Sequence, residues 1–177
     1  MSARLFAVAG PSGAGKDLLM TMAARAHPGL RLARRAITRP LEAGGEDFEP
    51  LTEAEFARRA GAGEFALHWR AHGLGYGIPA SELAGTGPVL FNASRGVLAE
   101  AARQWPGLVV VLVTAPPGIL AQRLAHRGRE TAEDQHRRLA RAGFALPQGL
   151  EIRHVLNDGT PETGLARFLA ALQPESV

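Results

Sequence analysis

The chain contains no cysteine. Disulfides are therefore excluded, and so are metal sites built on thiolates. Long hydrophobic runs are also missing: none approaches the ~18 apolar residues that a membrane span needs. The N-terminal residues show no basic start, extended apolar stretch or cleavage site of a secretory signal. The expectation is a cytoplasmic protein. Asn92-Ala93-Ser94 has the spacing of a glycosylation acceptor, but without an export signal the match carries nothing. Aromatics make up only 6% of the chain, with a single tyrosine, Tyr76. Lysine is nearly absent. Of twenty Lys and Arg residues, Lys16 is the one lysine and the rest are arginine. The pI is about 10.5, which invites a nucleic-acid reading. The net charge is only +3, however. The arginines are spread along the chain, with no basic tail and no patch interleaved with aromatics. An arginine-rich solvated surface is the simpler reading, and no nucleic-acid partner is expected.

What is present is a hydrophobic fraction of 46% in 177 residues, enough for one domain with a real core. Short apolar runs alternate with helical patterns, as in an α/β fold. The strand-like Leu5-Phe6-Ala7-Val8-Ala9 leads into Gly10-Pro11-Ser12-Gly13-Ala14-Gly15-Lys16-Asp17. A strand, a glycine-rich turn and a helix start in this order form a phosphate-binding loop. The glycines allow backbone N–H groups to turn inward around a polyphosphate, and the helix start adds its positive dipole end. A lysine ammonium is a compact charge on a flexible stem and suits a β/γ-phosphate bridge better than a planar guanidinium. That explains why one lysine survives among so many arginines.

Further along, Arg4–Ala9 reads as a strand, Asp17–Ala26 as a helix, and 30–37 as a weaker strand. Residues 38–50 read as a loop over a binding site. Thr52-Glu53-Ala54-Glu55 has the pattern of a capping box and starts a helix to about Ala60. Phe65–Arg70 reads as a strand followed by a glycine-rich segment, 72–77. Val89–Asn92 and Leu108–Thr114 read as buried strands, and Val97–Gln104 as a helix. Pro117–Arg127 and Ala132–Gly143 read as arginine-rich helices. Ile152–Leu156 is a last strand, and Thr160 with Pro161 opens the last helix. One domain is expected over 1–177. Within it, about 38–78 reads as a smaller inserted subdomain and about 123–138 as a lid.

The order of these features resembles the guanylate-kinase-like phosphotransferases over nearly the whole chain. The resemblance rests on Gly-Pro-Ser-Gly-Ala-Gly-Lys at 10–16, Thr38-Arg39-Pro40, Tyr76-Gly77, Arg123-Leu124, Arg127-Gly128, Arg138-Leu139 and Asn157-Asp158. It implies a P-loop kinase fold with a central, mostly parallel sheet flanked by helices, an inserted acceptor-binding subdomain and an arginine-rich lid. It implies ATP as donor and Mg²⁺ as its companion. Arg39 and Tyr76 would hold the acceptor phosphate. Arg123, Arg127 and Arg138 would be catalytic lid arginines. Asn157 would join Gly10, Pro11, Ser12, Gly13, Ala14, Gly15, Lys16 and Asp17 around the nucleotide.

Four departures narrow the resemblance. His68 precedes Trp69 where the family's guanine-reading glutamate stands. Asn92 ends its strand in place of an aspartate. Asp17 replaces the Ser/Thr that usually follows the loop lysine. The second acceptor-side arginine has no equivalent near Leu41 and Glu42. Together with Gly15-Lys16-Asp17, Ile37–Pro40, Gly44–Asp47, His68–Pro79 and Asn92–Arg95, these departures resemble one branch, the ribose 1,5-bisphosphate phosphokinases. Such enzymes make 5-phosphoribosyl 1-diphosphate with ATP and are associated with phosphonate breakdown. A small phosphorylated pentose is the expected partner, and the sequence leaves the oligomeric state open. Asp17 becomes the candidate Mg²⁺ ligand, since a carboxylate is a good hard-oxygen donor. His68 and His72 become candidates for the sugar hydroxyls or the 5-phosphate. Glu46 and Asp47 are either ribose ligands or plain loop acids. The alternatives are a nucleoside monophosphate kinase, a non-catalytic guanylate-kinase-like binding module, and a regulatory NTPase switch, which would need the missing strand-end acid.

Overall fold

The apolar run ahead of the glycine-rich loop forms strand β1 (Arg4–Ala9), the middle of a five-stranded parallel sheet. The computed structural model describes residues 3–43, 45–127 and 146–173. The strands are β1, β2 (Arg31–Leu32), β7 (Pro88–Asn92), β8 (Val109–Thr114) and β9 (Glu151–Leu156), in the order β2-β7-β1-β8-β9. Phe6 lies beside Leu90 on one side and Val109 on the other. Parallel strands joined by helices are covered on both faces, which is why β1 and β8 are apolar almost throughout.

The two-residue period of a strand sorts their side chains into two layers. Leu5, Ala7 and Ala9 pack with Phe91, Val110, Leu98 and Ala101. Phe6 and Val8 pack with Leu19, Val111, Leu120 and Phe168. The second layer is closed by α1 (Lys16–Ala26), α5 (Pro117–Arg127) and the last helix, α6 (Pro161–Leu172). The first is closed by α4 (Leu98–Gln104), which follows a short 3₁₀ turn at Arg95–Val97. At the start of α6, Thr160 Oγ1 accepts from Thr163 N at 3.2 Å, with Pro161 in the first turn. This is the N-terminus that the sequence signals.

Residues 35–79 build a second sheet in the order β4-β3-β6-β5, from β3 (Arg35–Ile37), β4 (Phe48–Pro50), β5 (Phe65–Ala71) and β6 (Leu74–Pro79). Helix α2 (Glu53–Gly61) lies on it, capped by Thr52, whose Oγ1 accepts from Glu55 N at 3.1 Å. A short helix α3 (Ala80–Leu83) follows.

Three expectations are corrected here. The stretch 30–37 is two strands in different sheets. The chain leaves the main sheet at Ala33, whose N–H donates to Leu90 O at 2.8 Å, and Arg34 N then donates to the Glu82 carboxylate at 2.9 Å. The loop 38–50 ends in β4, which pairs parallel to β3. The glycine-rich 72–77 is the turn and return strand of a hairpin. Ala71 pairs with Leu74, and His72 and Gly73 between them have φ of 53° and 74°. Two positive φ angles in a two-residue turn match the twist of a hairpin, so glycine density there signals a tight turn. The predicted helix Ala132–Gly143 lies outside the described residues.

Candidate active site

β1 delivers its carboxyl end into the loop 10–15, where a parallel sheet opens to ligands. Gly10 and Gly15 have φ of 143° and 88°. A Cβ on Gly10 would run into the Val113 carbonyl, and one on Gly15 would lie 2.5 Å from Asn157 Nδ2. Glycine is required at both positions. Gly15, at the N-cap of α1, makes no side-chain cap bond, and the N–H groups of a helix's first turn suit an anion. Lys16 Nζ donates to Gly10 O at 2.8 Å and Pro11 O at 3.1 Å, spanning its own loop.

Behind the loop stands a brace. Asn157, only 5% exposed, donates from Nδ2 to Ala14 O at 2.8 Å. Its backbone N–H donates to Thr114 O at 2.7 Å. Arg123 donates to Gly13 O at 3.1 Å and to Asn157 O at 2.9 Å. Hydrogen bonds from a cation are worth about 1.5–3 kcal/mol each, which resists a swing toward the cleft. Arg123 and Asn157 thus grip the loop from the rear, and neither lines the cleft. The residues expected as a lid arginine and as a nucleotide contact, Arg123 and Asn157, are both bonded to loop backbone. Ala14 is fully buried and is likewise not on the cleft wall. Beside Asn157, the Asp158 carboxyl sits below its usual range because Arg167 bonds it at 2.7 Å.

The brace also explains Gly164 in α6. A Cβ there would collide with Asn157 Oδ1 and lie 3.1 Å from Leu19 Cδ2. Alanine ordinarily stabilises a helix over glycine by about 1 kcal/mol. Gly164→Ala is expected to do the reverse and destabilise by about 1–3 kcal/mol, as overpacking does. A thermal melt checks this, and a raised Tm would contradict it.

In front of the loop lies a cleft of about 670 Å³. One wall is Gly10, Pro11, Ser12, Gly13 and Gly15, with Lys16 and Asp17. Asp17 Oδ1 accepts from Asn92 Nδ2 at 3.0 Å. The amide at the end of β7 therefore orients the carboxylate that begins α1. The facing wall comes from the second sheet and carries Arg35, Arg39, Glu46, Trp69, His72 and Tyr76. Ser94 and Arg95, just past β7, also reach the cleft. Partial burial pushes the Arg95 guanidinium down from its ordinary value, though arginine stays a cation.

The facing wall has its own order. Trp69 and Tyr76 are cross-strand partners with rings stacked 5.5 Å apart and nearly parallel, at 7°. The Arg35 guanidinium lies 5.0 Å from the Tyr76 ring centre and 5.8 Å from that of Trp69. Arg35 Nε donates to Glu46 Oε2 at 2.9 Å, and a terminal nitrogen bonds Oε1. Arg39 lies over Phe48 at 4.3 Å. Thr38 ties this strand to the hairpin, with its Oγ1 accepting from Gly75 N at 2.8 Å. Asp47 pairs instead with the exposed Arg34.

His68 is not brought to the cleft. Strand alternation sends it to the opposite face from Trp69, where its ring lies 6.2 Å from both Phe56 and Phe65. The residue expected to contact the sugar thus stands on the sheet face away from Trp69. Arg127 closes α5, and its side chain lies outside the described residues, as does all of Arg138. Two cleft residues, Arg35 and Arg95, escaped the sequence reading. Arg35 opens the three-residue β3, while Arg39 lies in the bend beyond its end, so no strand period links the two. Arg95 was visible only as the end of Asn92–Arg95.

A single Mg²⁺ suits this wall. It is normally held by one or two carboxylates plus phosphate oxygens and water. Asp17 is such a carboxylate, and no cluster of three or more acidic, His or Cys side chains forms a metal cage among the described residues.

Fold and cleft together define a P-loop kinase of the guanylate-kinase type. No family model matches the chain. The solved guanylate kinase of Anaplasma phagocytophilum superposes with a TM-score of 0.65, over 97% of this chain and 88% of that one, at 14% identity. The chain belongs to the ribose 1,5-bisphosphate phosphokinase family. It is 50% identical over 175 residues to the ribose 1,5-bisphosphate phosphokinase of Ruegeria sp., covering 97% of this chain and 92% of that one. The bifunctional ribose 1,5-bisphosphokinase-thymidine phosphorylase of Cupriavidus pinatubonensis is 51% identical over 178 residues, but the match spans 29% of its length.

Proposed function

We propose that this chain transfers the γ-phosphoryl group of ATP to the 1-phosphate of ribose 1,5-bisphosphate, giving 5-phosphoribosyl 1-diphosphate and ADP. The observation that carries the reading is one cleft with Lys16 and Asp17 on one wall and Arg39, His72 and Tyr76 on the other. It occurs in a chain sharing half its residues with a curated enzyme of that name. The same kinship disfavours a nucleoside monophosphate kinase, a silent binding module and an NTPase switch.

An oxygen of the 1-phosphate attacks the γ-phosphorus. The bond from that phosphorus to the β–γ bridging oxygen breaks, and ADP departs with the electron pair. The nucleophile is already an anion, so no general base is needed, and catalysis is positioning plus charge neutralisation. Loop N–H groups and Lys16 cradle the donor phosphates. Asp17, steadied by Asn92, holds Mg²⁺ directly or through water. Mg²⁺ held there by Asp17 would supply charge neutralisation to the donor phosphates. Residues 38–78 serve as the acceptor subdomain. There Arg39 and Arg95 supply cations for the sugar phosphates, and His72 and Tyr76 supply hydrogen bonds. Arg95, in the 3₁₀ turn past β7, adds a second cation to the cleft beside Arg39. Arg127 and Arg138 act as lid cations, within a lid of about 123–138. Arg123 and Asn157 keep the loop in shape. No helix among the described residues is long and apolar enough to cross a membrane, and the reaction is assigned to the cytoplasm, where ATP is available.

Purified protein with ATP and ribose 1,5-bisphosphate, followed by phosphorus NMR, tests the reading. The expected product has a diphosphate on the anomeric carbon and appears in step with ADP. An unchanged sugar spectrum contradicts it. His68→Glu, made on the opposite sheet face, is expected to leave kcat/KM for ribose 1,5-bisphosphate nearly unchanged. A loss of about tenfold or more, equivalent to ~1.4 kcal/mol of transition-state stabilisation, would return His68 to the acceptor site.

A further inference from the structure

We infer that Glu46, held in place by Arg35, hydrogen-bonds the hydroxyls of the pentose and sets acceptor specificity. The inference rests on the phosphokinase reading above and deepens it. The cleft must receive two polyanions, and Lys16, Arg39 and Arg95 on its walls suit them. A carboxylate there works against phosphate binding. Asp17 has its reason in the metal. Glu46 needs another.

Arg35 cancels the charge of Glu46 by a two-pronged bond, from Nε to Oε2 at 2.9 Å and from a terminal nitrogen to Oε1. Arg35 is itself only 7% exposed and lies against Tyr76 and Trp69. Two of its nitrogens are committed to Glu46, and a planar fork locked in this way cannot also follow a phosphate. What the pair presents to the cleft is acceptor capacity. A carboxylate has about four lone-pair sites, of which Arg35 takes two. The remaining two call for a ligand with two neighbouring O–H donors. Ribose 1,5-bisphosphate has such a pair, the cis hydroxyls on C2 and C3, between its two phosphates. An acidic side chain on a ribose hydroxyl is a recurring solution in nucleotide sites. Arg35 is then a positioning residue.

Initial rates with ribose 1,5-bisphosphate and its 2-deoxy and 3-deoxy analogues test this. The wild type is expected to prefer the full diol over at least one analogue by about tenfold or more in kcat/KM, since a site built for a hydroxyl rejects a ligand lacking it. Glu46→Ala is expected to bring that ratio close to one, with the loss falling on the diol sugar. Arg35→Lys keeps the charge but breaks the two-pronged bond, and it is expected to move the ratio the same way. If Glu46 serves only to anchor its loop, both variants lose activity equally on all three sugars, and the proposal is overturned. A wild type that does not discriminate overturns it with no variant needed. A wild type that turns over none of the sugars fails earlier and removes the phosphokinase reading along with it.

Discussion

Lys16→Ala is expected to reduce phosphoryl transfer from ATP by about 10³-fold or more while leaving the Tm nearly unchanged. Removing one preorganised donor from a developing charge costs about 10²–10³ in rate, and in the proposed reading Lys16 would serve both donor phosphates. Its ammonium bonds carbonyls of its own loop, and it contributes nothing to either core layer. Lys16→Arg is expected to rescue little, because a planar fork cannot reproduce a point charge on a flexible stem. Steady-state rates and a thermal melt on the same preparations check both statements. Near-normal turnover by Lys16→Ala would remove the phosphate-loop assignment.

Asp17→Ala is expected to lower turnover by about 10²-fold at fixed Mg²⁺, the scale of losing a group that orients a transition-state charge. Part of that loss should return as Mg²⁺ is raised. Asp17→Asn should show the same trend more weakly, since an amide binds the ion less well than a carboxylate. Asp17→Ser would recover part of the activity by restoring a hydroxyl ligand. A Mg²⁺ titration at constant ATP reads all three. If Asp17→Ala keeps the parent's metal dependence, the carboxylate acts only on the helix start and on Asn92.

Much of this molecule is legible because its central features are local. Leu5–Ala9 and Leu108–Thr114 are uninterrupted apolar runs, and burial on both faces of a parallel sheet is the ordinary way to satisfy them. The loop 10–16 announces itself because positive φ angles need glycine and a polyphosphate needs N–H groups and a cation. The helix start at Thr160-Pro161 depends on neighbours three residues apart. The acceptor wall is different. Its arrangement depends on which sheet each short strand joins. Nothing local says that the chain changes sheets at Ala33. Period-two alternation decides which of His68 and Trp69 faces the cleft, and the sequence alone does not say which face is which. The register shift in β5 between Phe65 and Leu67 further decouples simple counting from facing. Arg123 and Asn157 show a related limit. A motif match groups them with the phosphate loop, but it does not say which atoms of the loop they bond. The hydrogen bonds to the Gly13, Ala14 and Asn157 carbonyls join segments far apart in the chain, and no local pattern announces them.

The central claim is that this cleft takes a phosphorylated pentose as acceptor. The most direct measurement is a one-pot competition with ATP as donor and equal concentrations of ribose 1,5-bisphosphate and GMP, each product quantified as it forms. The account predicts that 5-phosphoribosyl 1-diphosphate accumulates while GDP stays near background, as membership of the ribose 1,5-bisphosphate phosphokinase family implies. Accumulation of GDP with ribose 1,5-bisphosphate left unconsumed would contradict it and make the protein a nucleotide kinase.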